Sequence, residues 1–205
     1  MIAIIDYGAG NLFSLCCSLR FIGQEAVVTG DPEVIRKSDK IILPGVGAFA
    51  DAAQKLRESG LDRVVTGEAN RGKPLLGVCL GMQLLYEKSY EFGEHAGLGL
   101  LPGAVLPIKP IVPEGFKIPH IGWNRLDFTG CKKSSLFRYI NEGEHVYFVH
   151  SYHAQSSEDV TATTDYGASL TAAAERGNVF GTQFHPEKSG ETGLNILRAF
   201  AGLTF

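Results

Sequence analysis

The chain has 205 residues, 44% hydrophobic and 20% charged. That composition fits one globular domain, or two small ones, and excludes a disordered chain. Nineteen basic residues against 22 acidic ones give a net charge of −3, which leaves no electrostatic footprint for nucleic acid. No apolar run reaches the ~18 residues of a membrane span. The opening Met1-Ile2-Ala3-Ile4-Ile5-Asp6 has no basic lead and carries a carboxylate in its apolar stretch, so it does not read as a signal peptide and a cytoplasmic chain is expected.

In chain order, the first half alternates short apolar runs with helical patterns. Residues 2–5 read as a buried strand, ended by Asp6 and the turn Gly8-Ala9-Gly10. Leu12, Leu15, Cys16, Leu19 and Ile22 recur at helical spacing, with Gly23 as the stop. Residues 26–29 form a second strand, and Asp31 and Pro32 read as the cap and first residue of a helix. A third strand, 41–43, ends at Pro44-Gly45-Val46-Gly47, and helices follow over 48–58 and 61–70. Residues 74–78 read as a fourth strand and 80–88 as a helix. Strands that alternate with helices and lack polar alternation predict an open, mostly parallel sheet with helices on both faces.

The second half changes texture. Prolines cluster at 102, 107, 110, 113 and 119, then β-rich runs follow at 146–152, 160–164, 169–173 and 179–184, with a final helix over 192–201. No Gly/Ser-rich or charged linker separates the halves. The expectation is one α/β domain over 1–205, with an antiparallel extension.

Four cysteines lie at 16, 17, 79 and 131, with no C-x-x-C pair, which argues against a disulfide framework or a structural zinc site. Cys16 and Cys17 fall in the apolar pattern of the first helix, and Cys131 follows Gly130 in a polar loop; all three read as passive. Cys79 differs. In Gly77-Val78-Cys79-Leu80-Gly81-Met82-Gln83 an apolar strand runs into the cysteine and a helix leaves it at once. This has the form of a nucleophile elbow, with glycines at ±2 because side chains there would collide in so sharp a turn. A thiol at a helix N-terminus is favoured as thiolate, and the Leu80 N–H points where an oxyanion would form. The alternative is a buried, inert cysteine flanked by packing glycines.

A thiolate mechanism needs a histidine shuttle and a group to orient it. Of six histidines, His185 is best placed: it follows the strand 179–184, Pro186 stiffens the link, and Glu187 can accept from the imidazole. The bland reading is a surface His-Pro-Glu turn. His150, in Val149-His150-Ser151-Tyr152-His153, is the rival base, with no carboxylate within two residues; Ser151 and Tyr152 could bind a polar substrate. Pro44-Gly45-Val46-Gly47 can present backbone N–H groups to an anion and complete an oxyanion hole with Leu80, or be an ordinary glycine-rich turn. Gly8-x-Gly10 is not a dinucleotide fingerprint, because Phe13 stands at the third glycine position.

The glycine turn, the Cys elbow and His185-Pro186-Glu187 together resemble the class I (triad) glutamine amidotransferases. Asp6-Tyr7-Gly8-Ala9-Gly10-Asn11-Leu12, Pro44-Gly45-Val46-Gly47-Ala48-Phe49, Pro119-His120-Ile121-Gly122-Trp123-Asn124 and His185-Pro186-Glu187-Lys188-Ser189 look like the branch of glutaminase subunits of imidazole glycerol phosphate synthases. The resemblance spans essentially the whole chain and is weakest over 125–145. It implies hydrolysis of L-glutamine to glutamate and ammonia: Cys79 attacks the amide, His185 moves protons and Glu187 orients His185. Val46, Gly47 and Leu80 would hold the oxyanion, and Gly47, Gln83, Ser151 and Tyr152 would contact glutamine. No cofactor and no metal are implied. The implied partner is a (β/α)₈-barrel cyclase subunit that takes the ammonia to make imidazole glycerol phosphate and aminoimidazole carboxamide ribotide in histidine biosynthesis, with Asn11, Trp123 and Lys188 at or near that interface. Without the resemblance, Trp123 reads equally well as core packing.

Three other readings compete: an amidotransferase subunit serving anthranilate or GMP synthesis, a thiol peptidase or hydrolase on a similar sheet, and a non-catalytic subunit that retains the fold. The Pro119–Asn124 run speaks against the first, and the intact Cys, His and Glu against the last. With the pattern using all 205 residues, the ammonia acceptor is expected on another polypeptide. The Gly45–Gly47 turn is expected to reorient when the partner binds its ligand, since glycines lower the cost of a peptide flip.

Overall fold

Successive side chains of a strand point to opposite faces, and that alternation sets the layering here. In β1 (Ile2–Ile5), Ile2 and Ile4 enter one core with Leu15, Leu19, Phe180 and Phe200, while Ala3 and Ile5 enter another with Ile35, Phe49, Leu56 and Val65. The strand is thus apolar on both sides because it is covered on both sides. The computed structural model describes residues 1–130, 133–155 and 158–204; Cys131 lies outside the described residues.

After β1 come α1 (Leu12–Phe21), β2 (Ala26–Thr29), α2 (Pro32–Lys37), β3 (Lys40–Leu43), α3 (Phe49–Glu58), α4 (Leu61–Asn70), β4 (Leu75–Val78) and α5 (Leu80–Leu84). The cap predicted at Asp31 is present: its carboxylate accepts from the Glu33 N–H at 2.8 Å, and Pro32 opens the helix. The chain continues through β5 (Tyr86–Ser89), β6 (His95–Ala96), β7 (Leu101–Pro107), β8 (His120–Arg125), β9 (Asp127–Phe128), β10 (His145–His150), β11 (Tyr152–Gln155), β12 (Val160–Asp165), β13 (Ser169–Arg176), β14 (Val179–Thr182) and α6 (Gly190–Ala201).

Among the described residues the main sheet runs β2-β1-β3-β4-β14-β13-β12-β9. Its first five strands are parallel, and β13, β12 and β9 add on antiparallel. The helices α3 and α4 cover one face, and α1 and α6 the other. This is the open sheet with an antiparallel extension that the sequence predicts. Two smaller sheets, β10-β8 and β11-β7-β5-β6, complete the β structure among the described residues.

Two expectations need correction. The helix predicted over 80–88 stops at Leu84, and Tyr86 begins a strand. The carbonyls of Leu84 and Leu85, which a longer helix would use internally, instead accept from the N–H groups of Leu98, Leu100 and Leu101 at 2.8–2.9 Å. The run 146–152 is also not one strand. It breaks at Ser151, leaving β10 in one small sheet and β11 in another. The proline-rich stretch, read only as a change of texture, contains β7 and leads into β8.

The glycines of the elbow are fixed by contact. A Cβ on Gly81 would overlap the carbonyl oxygen of Leu43, and one on Gly77 would lie 2.7 Å from the backbone of Met82. Both neighbours are backbone and cannot rotate away. Gly81→Ala is expected to destabilise the fold by about 3 kcal/mol, read as a lower urea midpoint with an unchanged slope.

Candidate active site

Three neighbouring parallel strands end side by side. Leu43 of β3 is in register with Gly77 of β4, and Thr182 of β14 with Val78. The segments leaving those strands are the Pro44–Gly47 turn, Cys79, and the link from Gln183 to His185. They therefore meet at the carboxyl edge of the sheet, where such folds build sites.

Cys79 turns the chain from β4 into α5 with φ 55° and ψ −111°. A side-chain-bearing residue at positive φ is strained, and surrounding structure must hold it. Its N–H bonds the Thr182 carbonyl at 2.7 Å, and its carbonyl accepts from Gln83 N at 3.2 Å. The side chain is 7% exposed, with Sγ 3.8 Å from both the Val149 carbonyl oxygen and Gln183 Nε2.

His185 and Glu187 stand on the turn between β14 and α6. Nδ1 lies 2.8 Å from Glu187 Oε1, and the two side chains are 3% and 1% exposed. Glu187 accepts only, so Nδ1 carries the proton and Nε2 is the nitrogen left to exchange a proton. Burial works against charge on this imidazole, but the Cys79 sulfur and the Glu187 carboxylate outweigh it and raise His185 to about 9. The backbone of the turn is held as well: Ser189 Oγ donates to the His185 carbonyl at 2.6 Å and accepts from Tyr147 N at 2.9 Å.

His150, the rival base, is engaged elsewhere. Its Nδ1 meets the Tyr152 carbonyl oxygen at 2.8 Å and its Nε2 meets His120 Nδ1 at 3.0 Å. Burial lowers it to about 3. Neither nitrogen is free to take a proton from Cys79.

A cavity of about 350 Å³ is lined by Cys79 and His185 together with Val46, Gly47, Leu80, Gln83, Ser151, Tyr152 and Lys188. The turn that carries Val46 and Gly47 is anchored by the Tyr7 hydroxyl, which donates to the Pro44 carbonyl at 2.8 Å. Gly47 has φ +94°, and nothing lies within 4 Å of where a Cβ would stand. Gln83 Nε2 spans the Tyr152 carbonyl and Gln183 Oε1, 3.0 Å from each. A larger hollow of about 550 Å³, lined by His153 and Gln155, holds none of the residues predicted for a site.

Sequence reasoning missed Glu91 and Gln183. Glu91 lines the cavity, and its carboxylate accepts from the N–H of Phe49 at 2.5 Å. It lies beyond the end of β5, in a segment read as no element. Gln183 sits between the elbow and His185, and only the β4–β14 register reveals it. Of the residues assigned to an interface, Trp123 is 53% exposed and meets the Tyr147 ring edge-on at 6.1 Å, with Lys188 Nζ 5.9 Å from the centre of that same ring. Core packing is therefore not the role of Trp123. Asn11 stands just before α1 and makes no side-chain cap bond.

The family described as Glutamine amidotransferase class-I matches residues 3–202. The chain is 50% identical over 203 residues to "Imidazole glycerol phosphate synthase subunit HisH" of Wolinella succinogenes, covering 98% of each. It is 50% identical over 201 residues to the protein of the same description from Methanothermobacter thermautotrophicus, covering 98% of this chain and 97% of that one. A crystal structure described as a glutamine amidotransferase superposes with a TM-score of 0.75 at 20% identity, over 99% of this chain and 100% of that one. The structure of PurLQS from Thermotoga maritima gives 0.70 at 22%, over 97% and 96%. These two likenesses are of fold.

Because the Cys79 sulfur helps hold His185 up, Cys79→Ala is expected to lower the midpoint of His185 by ~1 unit or more. The ring Cε1–H shift followed by NMR against pH reads this directly. An unchanged midpoint would mean the sulfur and imidazole are not coupled.

Proposed function

The chain belongs to the class-I glutamine amidotransferase family, and from that footing we propose that it is the glutaminase subunit of an imidazole glycerol phosphate synthase, built as one amidotransferase domain. Supporting this is the full-length 50% identity to subunits of that description, joined to a cysteine, histidine and carboxylate gathered at one sheet edge. The observation that carries the chemistry is His185, bonded through Nδ1 to Glu187 and lining the same cavity as Cys79.

In this reading L-glutamine enters the cavity with its side-chain amide over Sγ. The thiolate of Cys79 attacks the amide carbon, and the oxygen takes up the electron pair. The Leu80 N–H, together with N–H groups of the Val46–Gly47 turn, stabilises that oxyanion. The tetrahedral intermediate collapses to a γ-glutamyl thioester as His185 gives its proton to the leaving ammonia. His185 then takes a proton from water, which attacks the thioester and releases glutamate and the thiolate. Glu187 keeps Nδ1–H oriented throughout and stabilises the imidazolium. Gly47, Gln83, Ser151 and Tyr152 surround the amino-acid part of the substrate, and the Glu91 carboxylate at the cavity wall suits its ammonium group.

The ammonia is consumed by a cyclase subunit, a (β/α)₈ barrel, in the step that yields imidazole glycerol phosphate. The exposed Trp123, with Lys188 beside the same tyrosine ring and Asn11 at the start of α1, forms part of our proposed docking face for that subunit. An exposed Trp that becomes buried on binding is a common interface anchor. Among the described residues no helix is long and apolar enough to cross a membrane, and a cytoplasmic heterodimer belongs to the same proposal.

Glutamine hydrolysis by the chain alone, with the cyclase subunit, and with the cyclase and its nucleotide ligand, tests this reading. The expected course is a near-idle chain and a rise of ~10² or more when partner and ligand complete the oxyanion turn. Cys79→Ala in the full complex should lose ~10⁴-fold or more of glutamine-dependent activity while still binding the cyclase subunit and supporting turnover with added ammonia. Full glutamine-dependent activity in that variant would end the assignment of the nucleophile, and peptide cleavage by the isolated chain would favour a thiol peptidase.

A further inference from the structure

A buried chain of hydrogen bonds runs beside the catalytic triad without belonging to it. Asn124 Oδ1 lies 2.9 Å from His120 Nε2, His120 Nδ1 lies 3.0 Å from His150 Nε2, and His150 Nδ1 lies 2.8 Å from the Tyr152 carbonyl oxygen. His120 is fully buried and His150 is 6% exposed. Asn124 cannot be turned round to donate to His120, because its Nδ2 already donates to the Asp165 carbonyl at 2.9 Å; a flip would set two oxygens against each other.

Both ends of this chain are therefore acceptors, and counting protons gives its charge. The Asn124 end needs an N–H on His120, the Tyr152 end needs an N–H on His150, and the contact between the rings needs one more. Two neutral imidazoles supply two protons. Three contacts need three, and three protons on two imidazoles is one positive charge. With only two, one buried contact sets a lone pair against a lone pair.

We infer that His120 and His150 together hold three N–H protons, with His120 as an imidazolium that positions the Ser151–Tyr152 segment of the glutamine cavity. Its rings make His120 the better seat for the charge. It stacks on Phe148 at 4.9 Å and 20° and on Tyr166 at 4.0 Å and 24°, so a cation there lies between two π faces. Burial lowers both rings from their ordinary range, on His120 against the smaller opposite pull of the Asn124 bond.

The groups facing the pair come from several elements. His153 on β11 and His185 after β14 disfavour a further cation. Asn124 on β8, Phe148 on β10 and Tyr166 after β12 favour it. The Asp165 carboxylate is turned to the Gly167 N–H. In this inference the three contacts hold the third proton at pH 6 against the lowering by burial, and it is lost as the pH rises through the midpoint of His120. The bond to the Tyr152 carbonyl then weakens, and with it the placement of a residue that Gln83 also grips through the same carbonyl. His120 is a positioning residue: it reaches the substrate only through His150 and Tyr152.

The charge count stands on geometry, whereas its effect on glutamine rests on the function proposed above, and the test separates the two. In the full chain labelled with ¹⁵N-histidine, three exchange-protected ring N–H protons are expected from His120 and His150 at pH 6 and two at pH 9. Two at pH 6 would overturn the inference. Asn124→Ala removes one acceptor end and should leave two at every pH, whereas Asn124→Asp, which keeps an acceptor, should restore the third; three in the alanine variant would equally overturn it. In complex with the cyclase subunit, KM for glutamine should rise about tenfold between pH 6 and pH 9, the worth of one charged hydrogen bond, with kcat changed less. That rise should flatten in Asn124→Ala. A KM unmoved by loss of the third proton would overturn the positioning role and leave the proton count intact. A complex with no glutaminase activity would instead refute the proposed function.

Discussion

A chain that leaves a buried parallel strand and enters a helix within one residue has no room for side chains on either side of the corner. Cys79 makes that turn at φ 55°, and the rest of the site follows from the close backbone contact that permits it. Gly81 lies against the Leu43 carbonyl, and a Cβ on Gly45 would come within 2.7 Å of Gly81 N. The Pro44–Gly47 turn, our proposed oxyanion site, and the Cys79 corner are thus pressed together backbone to backbone. Strain of this kind costs about 1–3 kcal/mol, and it is opposed by β3, β4 and β14, whose strand interiors are wholly buried. The rigidity of the sheet is what allows a strained cysteine to persist at its edge.

Electrostatics then assigns different roles to two buried histidines on neighbouring segments. His185 and His150 are both removed from water, and burial alone would discharge both. His185 has a carboxylate on Nδ1 and the influence of the cysteine sulfur, and it is raised to about 9. His150 has a carbonyl on one side and another histidine on the other, and it falls to about 3. The partner groups, not depth, decide which ring can hold a proton for catalysis and which can only transmit a hydrogen bond. Trp123, exposed on the same side of the molecule, stands beside the turn that carries His185, where we propose that a second subunit docks.

Much of this was legible in the sequence where the signal is local. The parallel half of the sheet could be read because its strands are short apolar runs separated by capped helices, as at Asp31-Pro32. The elbow could be read because its glycines stand at fixed offsets from Cys79, and the His185–Glu187 pair because Pro186 holds them two residues apart. What failed depended on distant partners. The residues after Leu84 keep a helical apolar pattern, but the 97–101 segment takes their carbonyls and forces a strand. Ser151 carries no breaker signal, yet the chain changes sheets there. Glu91 and Gln183 reach the cavity only through tertiary register, and the bond between His120 and His150 is a cross-strand pairing of β8 with β10.

The proposed catalysis depends on a covalent bond between Cys79 and the substrate. The most direct measurement is mass spectrometry of the complex, acid-quenched during turnover of glutamine and digested. A γ-glutamyl adduct on the peptide that carries Cys79, absent when glutamine is omitted, is the predicted result. An adduct on Cys16 or Cys17, or turnover with no adduct while hydrolysis proceeds, would contradict it.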